Sequence, residues 1–108
     1  MGKISVVINT LNEAKNLPRA ASSVKGLYGE LIVCDMKSDD DTRDVAKKLG
    51  AKVFEYDRSG YVEPARNYAI SKANGKWILI LDADEEVPKT LRDKLYEISD
   101  KSEADYYR

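Results

Sequence analysis

Two carboxylates one residue apart, Asp82 and Asp84, follow an unbroken apolar run from Trp77 to Leu81 and lead into Glu85, Glu86 and Val87. Carboxylate oxygens suit hard cations such as Mg2+ and Mn2+, and two acids at this spacing can share work on one ion. A short continuous apolar run reads as a strand buried on both faces, the habit of parallel sheets. Open α/β sheets bind ligands outside the carboxyl ends of such strands, which is where Asp82 and Asp84 fall. The same residues also fit a plain turn, with Asp84 or Glu85 capping a helix that Pro88 helps to start. On this stretch alone the two readings stand level.

Composition removes several other chemistries. The 108 residues contain no histidine, which excludes His general bases, His-based triads and most zinc sites within this chain. Lys plus Arg (18) nearly balances Asp plus Glu (19), and the net charge of -1 lacks the basic excess that binding to nucleic acid needs. Charged residues make up 34% of the chain and are interspersed, so most read as solvated helix faces. Cys34 is the single cysteine and lies in the apolar run Leu31 to Cys34; it reads as a buried, inert thiol in a protein of a reducing, cytoplasmic compartment. The start, Met1 to Val6, does not resemble a signal peptide, and no apolar stretch is long enough to span a bilayer; contact with the inner membrane surface stays open.

The elements that must position the acids can be read in order. Ile4 to Ile8 is a first buried strand, with Asn9 to Glu13 as the turn after it. Asn12 is placed as the N-cap of a helix showing Leu17, Ala20, Ala21 and Val24 on one face and ending at Gly26. Leu31 to Cys34 is a second strand leading into Asp35 and the acidic run Asp39-Asp40-Asp41. Thr42, Val45, Ala46 and Leu49 then trace a helix that stops at Gly50. Lys52 to Tyr56 makes a third strand and residues 57–60 a polar loop. Val62, Ala65, Ala69 and Ala73 trace a third helix closed by Asn74-Gly75. The run from Trp77 is the fourth strand, followed by a helix from Pro88 with Leu91, Leu95 and Ile98 inward, and residues 103–108 look like the beginning of a fifth strand.

Alternating strands and helices call for a mostly parallel sheet with helices on both faces, a three-layer α/β arrangement with right-handed crossovers. In the strand order 3-2-1-4 the winding reverses between the first and fourth strands. A crevice would then open between Asn9-Thr10 and Asp82-Asp84, with Asp35 one strand away. Three strand-end signals aimed at one pocket shift the balance for Asp82 and Asp84 from helix cap to binding site.

Taken together, Ile4 to Ile8, Asn12-Glu13, the acidic turn after Val33, Ala65 to Ala69 and Trp77 to Glu85 resemble the start of family 2 glycosyltransferases, nucleotide-sugar enzymes of the Rossmann-like GT-A fold. The branch that adds glucose-like sugars to the lipopolysaccharide core is the nearest in pattern. The resemblance implies that Thr10, Asn12 and Glu13 form the turn lying against the nucleotide. It gives Asp35 to the uracil ring, whose N–H an acceptor-only carboxylate can read. Arg66 would stand near the pyrophosphate or the base, where a guanidinium makes bidentate contacts, though it also reads as a solvated helix arginine. Asp82 would reach the ribose, with Ala83 beside it in the nucleotide-contacting set, and Asp84, with Asp82, would hold Mg2+ or Mn2+ between the phosphates. The run Asp39 to Asp41 departs from the family's glycine-richer turn and is read first as helix capping.

In the family, the carboxylate base that activates the acceptor comes well after the paired acids, and none of Glu97, Asp100, Glu103 and Asp105 matches it. The expectation is therefore a single unit over 1–108: the donor-binding, metal-binding half of an inverting enzyme that uses a UDP-sugar and a saccharide or lipid-linked acceptor, inactive alone. A sheet cut at this point predicts self-association through an unpaired edge. A phosphatase using Asp82 as nucleophile would carry its acids on the first strand, and a P-loop enzyme needs a Gly-Lys-Ser/Thr loop that is missing here. A non-catalytic nucleotide-binding or interaction module survives as the alternative.

Overall fold

The four expected strands become neighbours in one parallel sheet. The structure, a computed structural model, describes residues 4–57 and 63–101, without the side chains of residues 63, 65, 66 and 99–101. Along the chain come β1 (Ile4–Thr10), α1 (Leu17–Ser23), β2 (Glu30–Asp35), α2 (Thr42–Lys48), β3 (Lys52–Glu55), α3 (Glu63–Ser71), β4 (Trp77–Asp82) and α4 (Lys89–Lys101). The strand order is β3-β2-β1-β4, as expected, so the winding reverses between β1 and β4. Residues 58–60 of the expected polar loop, the start of a helix face at Val62 and the strand expected over 103–108 lie outside the described residues.

β1 sits at the centre and is buried along its whole length. Its alternate side chains divide the core in two, because successive residues of a strand point to opposite faces. Val6 and Ile8 join Leu31, Val33, Leu79 and Leu81 beneath α1, α2 and α4. Val7 joins Ile32 and Cys34 beneath Ala69 of α3. Trp77 is 8% exposed and packs in the first of these clusters, the core role expected of it. Cys34 is fully buried, and burial, reinforced by the neighbouring Asp35, pushes its thiol up to about 11, so it is an inert core residue.

Three local expectations are corrected. β1 runs on through Asn9 and Thr10, because both continue the ladder with β2 and Asn9 also pairs with β4. Asn12 does not cap α1: its φ is 58°, in the left-handed region that asparagine tolerates, and the helix begins at Leu17 after Asn16 with a proline in its first turn. Leu91 is 42% exposed where an inward position was expected. α4 docks through Leu95 and Ile98, while Leu91 borders an open cleft of about 270 Å3 with Leu79, Val87 and Leu95. The end of α2 is as read: Gly50 has φ +85°, and the Ala51 N–H reaches back to the Ala46 carbonyl at 3.1 Å.

The amino ends of the strands are gathered by one carboxylate. Glu30 accepts hydrogen bonds from the Ser5 hydroxyl of β1, from Lys52 of β3 at 2.8 Å and from the Asn74 N–H at 2.6 Å; Ser5 Oγ in turn accepts from the Gly75 N–H at 2.7 Å. Burial alone would raise its pKa, but the hydrogen bonds from Lys52, Ser5 and Asn74 outweigh that and hold it at about 2 against an ordinary 4.5. A depressed carboxylate pKa stabilises the fold above the unfolded value, and that contribution is lost as pH falls through the folded value. Glu30→Gln should therefore lower stability near neutrality and flatten the stability–pH curve between about 4.5 and 2, read by denaturant titration across that window. An unchanged acid limb in the variant would show that Glu30 is not the titrating group.

Candidate functional site

The carboxyl ends of β1, β2 and β4 carry the expected residues, but alternation splits them between the two faces. Thr10 follows Ile8 onto the α1–α2 face and is in register with Asp35. Its hydroxyl donates to Asp35 Oδ1 at 2.6 Å. The Ser38 hydroxyl donates to the same oxygen at 2.6 Å, and the Ser38 N–H donates to Oδ2 at 2.8 Å. Arg43 Nε lies 3.8 Å from Oδ2 and its guanidinium also binds Glu55 at 2.7 Å. Asp35 is 0% exposed. Its oxygens are turned inward and taken up by Thr10 and Ser38.

The loops after β1 and β2 are tied to each other in the same manner. The Asn12 N–H donates to Ser38 Oγ at 2.8 Å, and Asn12 Oδ1 accepts from the Asp39 N–H at 2.7 Å. The Glu13 N–H donates to Thr42 Oγ1 at 2.9 Å, while the Glu13 carboxylate accepts from the Asn16 amide at 2.9 Å. Asp40 accepts from the Thr42 hydroxyl, which most of all draws its carboxyl below the ordinary range, and also from the Thr42 N–H at 3.0 Å and the Ala14 N–H at 3.3 Å. The capping role read for the acidic run therefore falls to Asp40, one residue before the N-cap position of α2. In the same turn Lys37 takes φ 56°, in the left-handed region, and pairs with Asp57 at 2.9 Å.

Asp82 lies on the opposite face. It is in register with Asn9, and it alternates with Ile78, which packs on the α3 side. Beyond it the chain makes a tight turn, with the Glu85 N–H donating to the Asp82 carbonyl at 2.9 Å and the Glu85 carboxylate accepting from the Asp82 N–H at 2.8 Å. Ala83 is buried at 3% exposure and pins the turn to the core, leaving Asp82 and Asp84 exposed on either side of it. Neither Asp84 nor Glu85 caps α4: Glu85 is spent on the turn, and the Pro88 carbonyl takes the first helical N–H, from Arg92, at 2.9 Å. The loop is anchored by the Val87 N–H, which donates to Ser23 Oγ at 2.9 Å.

No group of three metal-ligating side chains gathers among the described residues. Two exposed carboxylates still fit a magnesium or manganese ion, which keeps several waters and is held by one or two carboxylates together with ligand phosphates. Residue 66 falls on α3, above the Asn9–Asp82 face, but the Arg66 side chain lies outside the described ones. The sequence places Asn9 at the edge of the crevice, as part of a turn, and gives it no role. Asn9 is 8% exposed, and neither its amide oxygen nor its nitrogen finds a hydrogen-bond partner among the described residues.

This chain is similar to known proteins across nearly all of it. An uncharacterized glycosyltransferase of Rickettsia felis is 44% identical over 107 residues, covering 99% of this chain, and the chain spans 38% of that relative's length. The solved structure of S. aureus TarS 1-349 in complex with UDP matches with a TM-score of 0.77 and 29% identity, over 91% of this chain and 32% of that one. A mannosyltransferase from Pyrobaculum calidifontis, solved in complex with GDP-Man and Mn2+, matches with a TM-score of 0.73 and 25% identity, over 87% of this chain and 30% of that one. The sheet order and the helix layers are those of these neighbours, the GT-A arrangement. The model for the family described as "Glycosyl transferase family 2" matches residues 5–107, and the chain belongs to that family.

Proposed function

We propose that this chain is the donor-binding part of a transferase that takes a sugar from a nucleoside diphosphate, with UDP-sugar as the favoured donor. The observation that carries the reading is the Asp82-Ala83-Asp84 turn, two exposed acids held by a buried alanine at the point where the sheet's winding reverses. In this reading Asp84 and Asp82 hold Mg2+ or Mn2+, and Asp82 also accepts a hydrogen bond from the ribose. A divalent ion there supplies positive charge to the departing diphosphate. Arg66 contributes a phosphate contact from α3. Thr10, Asn12, Glu13 and Asp35 build the stitched loop pair that the nucleotide lies against, and Asp35 acts as its buried brace.

The acceptor in this reading is a saccharide or a lipid-linked saccharide, as in the lipopolysaccharide core branch, and transfer is inverting. The carboxylate that activates the acceptor lies outside these residues: the described acids after Asp84 sit on the following loop or on α4. The 108-residue chain then binds nucleotide without turnover. No helix among the described residues is long and apolar enough to cross a membrane.

The test is a thermal-shift or NMR titration with UDP, GDP and ADP, each with Mg2+, with Mn2+ and with neither. Stabilisation by UDP that needs the metal supports the reading. Response to no nucleotide would replace it with a non-catalytic interaction module.

We also propose that two copies associate through β4. Among the described residues β4 bonds to β1 on one side only. The other edge strand, β3, carries Lys52 and Glu55, charges of the kind that discourage edge pairing, whereas Trp77 to Leu81 carry none. Light scattering at high protein concentration should return a dimer that Ile78→Lys shifts to monomer. A monomeric mass for the unmodified chain would refute the pairing.

A further inference from the structure

A net charge of -1 hides a separation of charge along the strands. The carboxyl edge of the sheet carries the acids already described, Asp39 to Asp41, Asp82 and Asp84 among them. The amino edge, where each helix returns to the next strand, carries lysines. Lys25 follows α1, Lys47 and Lys48 end α2, Lys52 opens β3, Lys72 follows α3 and Lys76 precedes β4, and all six are exposed. Lys52 is taken by Glu30, and the Lys72 ammonium rests over the rings of Tyr68 and Phe54, 5.1 and 5.6 Å from their centres. The other four make no ion pair with an acid among the described residues. Cations in the last turn of a helix answer its dipole, which accounts for Lys47 and Lys48. Lys25 and Lys76 lie outside every helix, so the dipole leaves them unexplained. Lys25 and Lys48 also line a cleft of about 330 Å3, together with Pro18, Ala21, Tyr28 and Leu49. Beside it Asp93 and Glu97 of α4 share a second cleft with Lys25 and Arg92, two acids against two bases.

We infer that the amino edge of the sheet is a docking surface for a membrane of anionic phospholipid. Charge of one sign spread along an edge attracts a surface of the opposite sign, and each lysine brought near an anionic membrane tightens binding by about fivefold. All six bases are lysines. A compact, hydrated ammonium suits a diffuse anionic layer, whereas a single fixed phosphate is gripped better by the arginine fork. The cleft beside Lys25 and Lys48 adds apolar wall to that charge, which matches a lipid headgroup and the glycerol behind it. A nucleic acid would call for a row of aromatic rings to stack its bases, and Tyr28 is the one ring lining that cleft. The same membrane repels the acidic carboxyl edge, which turns Asp82 and Asp84 towards the water, from which a nucleotide-sugar arrives. An acceptor linked to lipid is then engaged at sugars about 20 Å from the bilayer, the length of the strands. Docking belongs to the opposite edge of the sheet and does not rest on the nucleotide-binding reading.

The experiment sediments the chain with vesicles of phosphatidylcholine alone and with vesicles containing about a third phosphatidylglycerol, at low salt and at about 1 M salt. Binding is expected to the mixed vesicles only, and should vanish at the higher salt, where charges are screened beyond about 3 Å. Lys48→Gln with Lys76→Gln should weaken binding by about 25-fold, two factors of about five. Lys25→Gln with Lys47→Gln, on the same edge, should lose as much. Lys15→Gln with Lys89→Gln makes the same change of net charge at the carboxyl edge and should bind as the unmodified chain does. Equal losses in all three double variants would show that net charge alone is read, and overturn the inference. Binding to phosphatidylcholine alone, or to neither vesicle, also overturns it. Displacement from the mixed vesicles by millimolar glycerol phosphate would make the cleft a site for a free phosphate ester, and tighter binding to poly(U) RNA would make the edge a nucleic-acid surface; either result replaces the membrane. UDP binding is titrated without vesicles, so the two readings fail separately.

Discussion

Asp35→Ala is expected to destabilise the fold by about 3 kcal/mol or more, a large share of the roughly 5–15 kcal/mol that holds a domain of this size. The carboxylate is fully buried and accepts from the Thr10 hydroxyl, the Ser38 hydroxyl and the Ser38 N–H. Hydrogen bonds to a charged group contribute more than neutral ones, and each donor left unpaired in the interior adds its own desolvation penalty. The loss should spread beyond one residue, since Ser38 also holds the Asn12 N–H and the two loops share their anchors. Asp41→Ala is the companion measurement. Asp41 belongs to the same acidic run, but it is exposed and its side chain makes no capping hydrogen bond, so its loss should stay below about 1 kcal/mol. Urea denaturation of the two variants separates brace from bystander. A loss below 1 kcal/mol at Asp35 would mean that the loop pair is held by something else.

The second large effect is expected in binding. Asp84→Ala should weaken Mn2+-supported UDP binding by about a hundredfold, since even the residues that only support a metal ligand change affinity by about 10- to 100-fold. The same variant should melt within about a degree or two of the unmodified chain, because the carboxylate is exposed and surface substitutions cost little. In the presence of a chelator the variant and the unmodified chain should bind UDP alike. Isothermal titration with and without Mn2+ reads all three quantities. An equal fall in affinity with and without metal would move Asp84 from metal ligand to direct nucleotide contact, and no fall at all would remove the turn from the site.

The sequence carried the frame of this domain well and its strand ends poorly. Three apolar runs and a short edge strand, separated by helical spacing, sufficed for the sheet and its order, because burial on both faces leaves an uninterrupted pattern in the three inner runs. What the pattern lacks is the residue at which a strand stops. The apolar run ends at Ile8, so Asn9 and Thr10 read as turn, yet both continue the ladder with β2, and Asn9 also lies beside β4. Once β1 is extended, parity decides everything. Thr10 falls on the face of Ile8 and meets Asp35, and Asn9 falls on the face of Val7 and meets nothing. One signal was present in the sequence: Thr10 and Asp35 each stand two residues past a buried Ile8 or Val33, so a parallel register puts them side by side. Asp84 was easier to read, since an exposed acid past a buried strand needs no knowledge of its partners. The exchange of bonds between Asn12, Ser38, Asp39 and Asp40 could not be read at all, because it depends on the left-handed turns at Asn12 and Lys37.

The two-faced ending of β1 also sets what kinds of change this domain can absorb. Deleting one residue between Ile4 and Asn9 would shift the strand's parity, carrying the hydroxyl of Thr10 towards α3 and the amide of Asn9 into the brace. A single deletion would then disturb Asp35 and the ligand face together, although neither residue had been altered. Insertions past Leu11 have no such consequence, since the chain there no longer alternates between faces. In this domain the length of the central strand is as much a part of the site as any side chain on it.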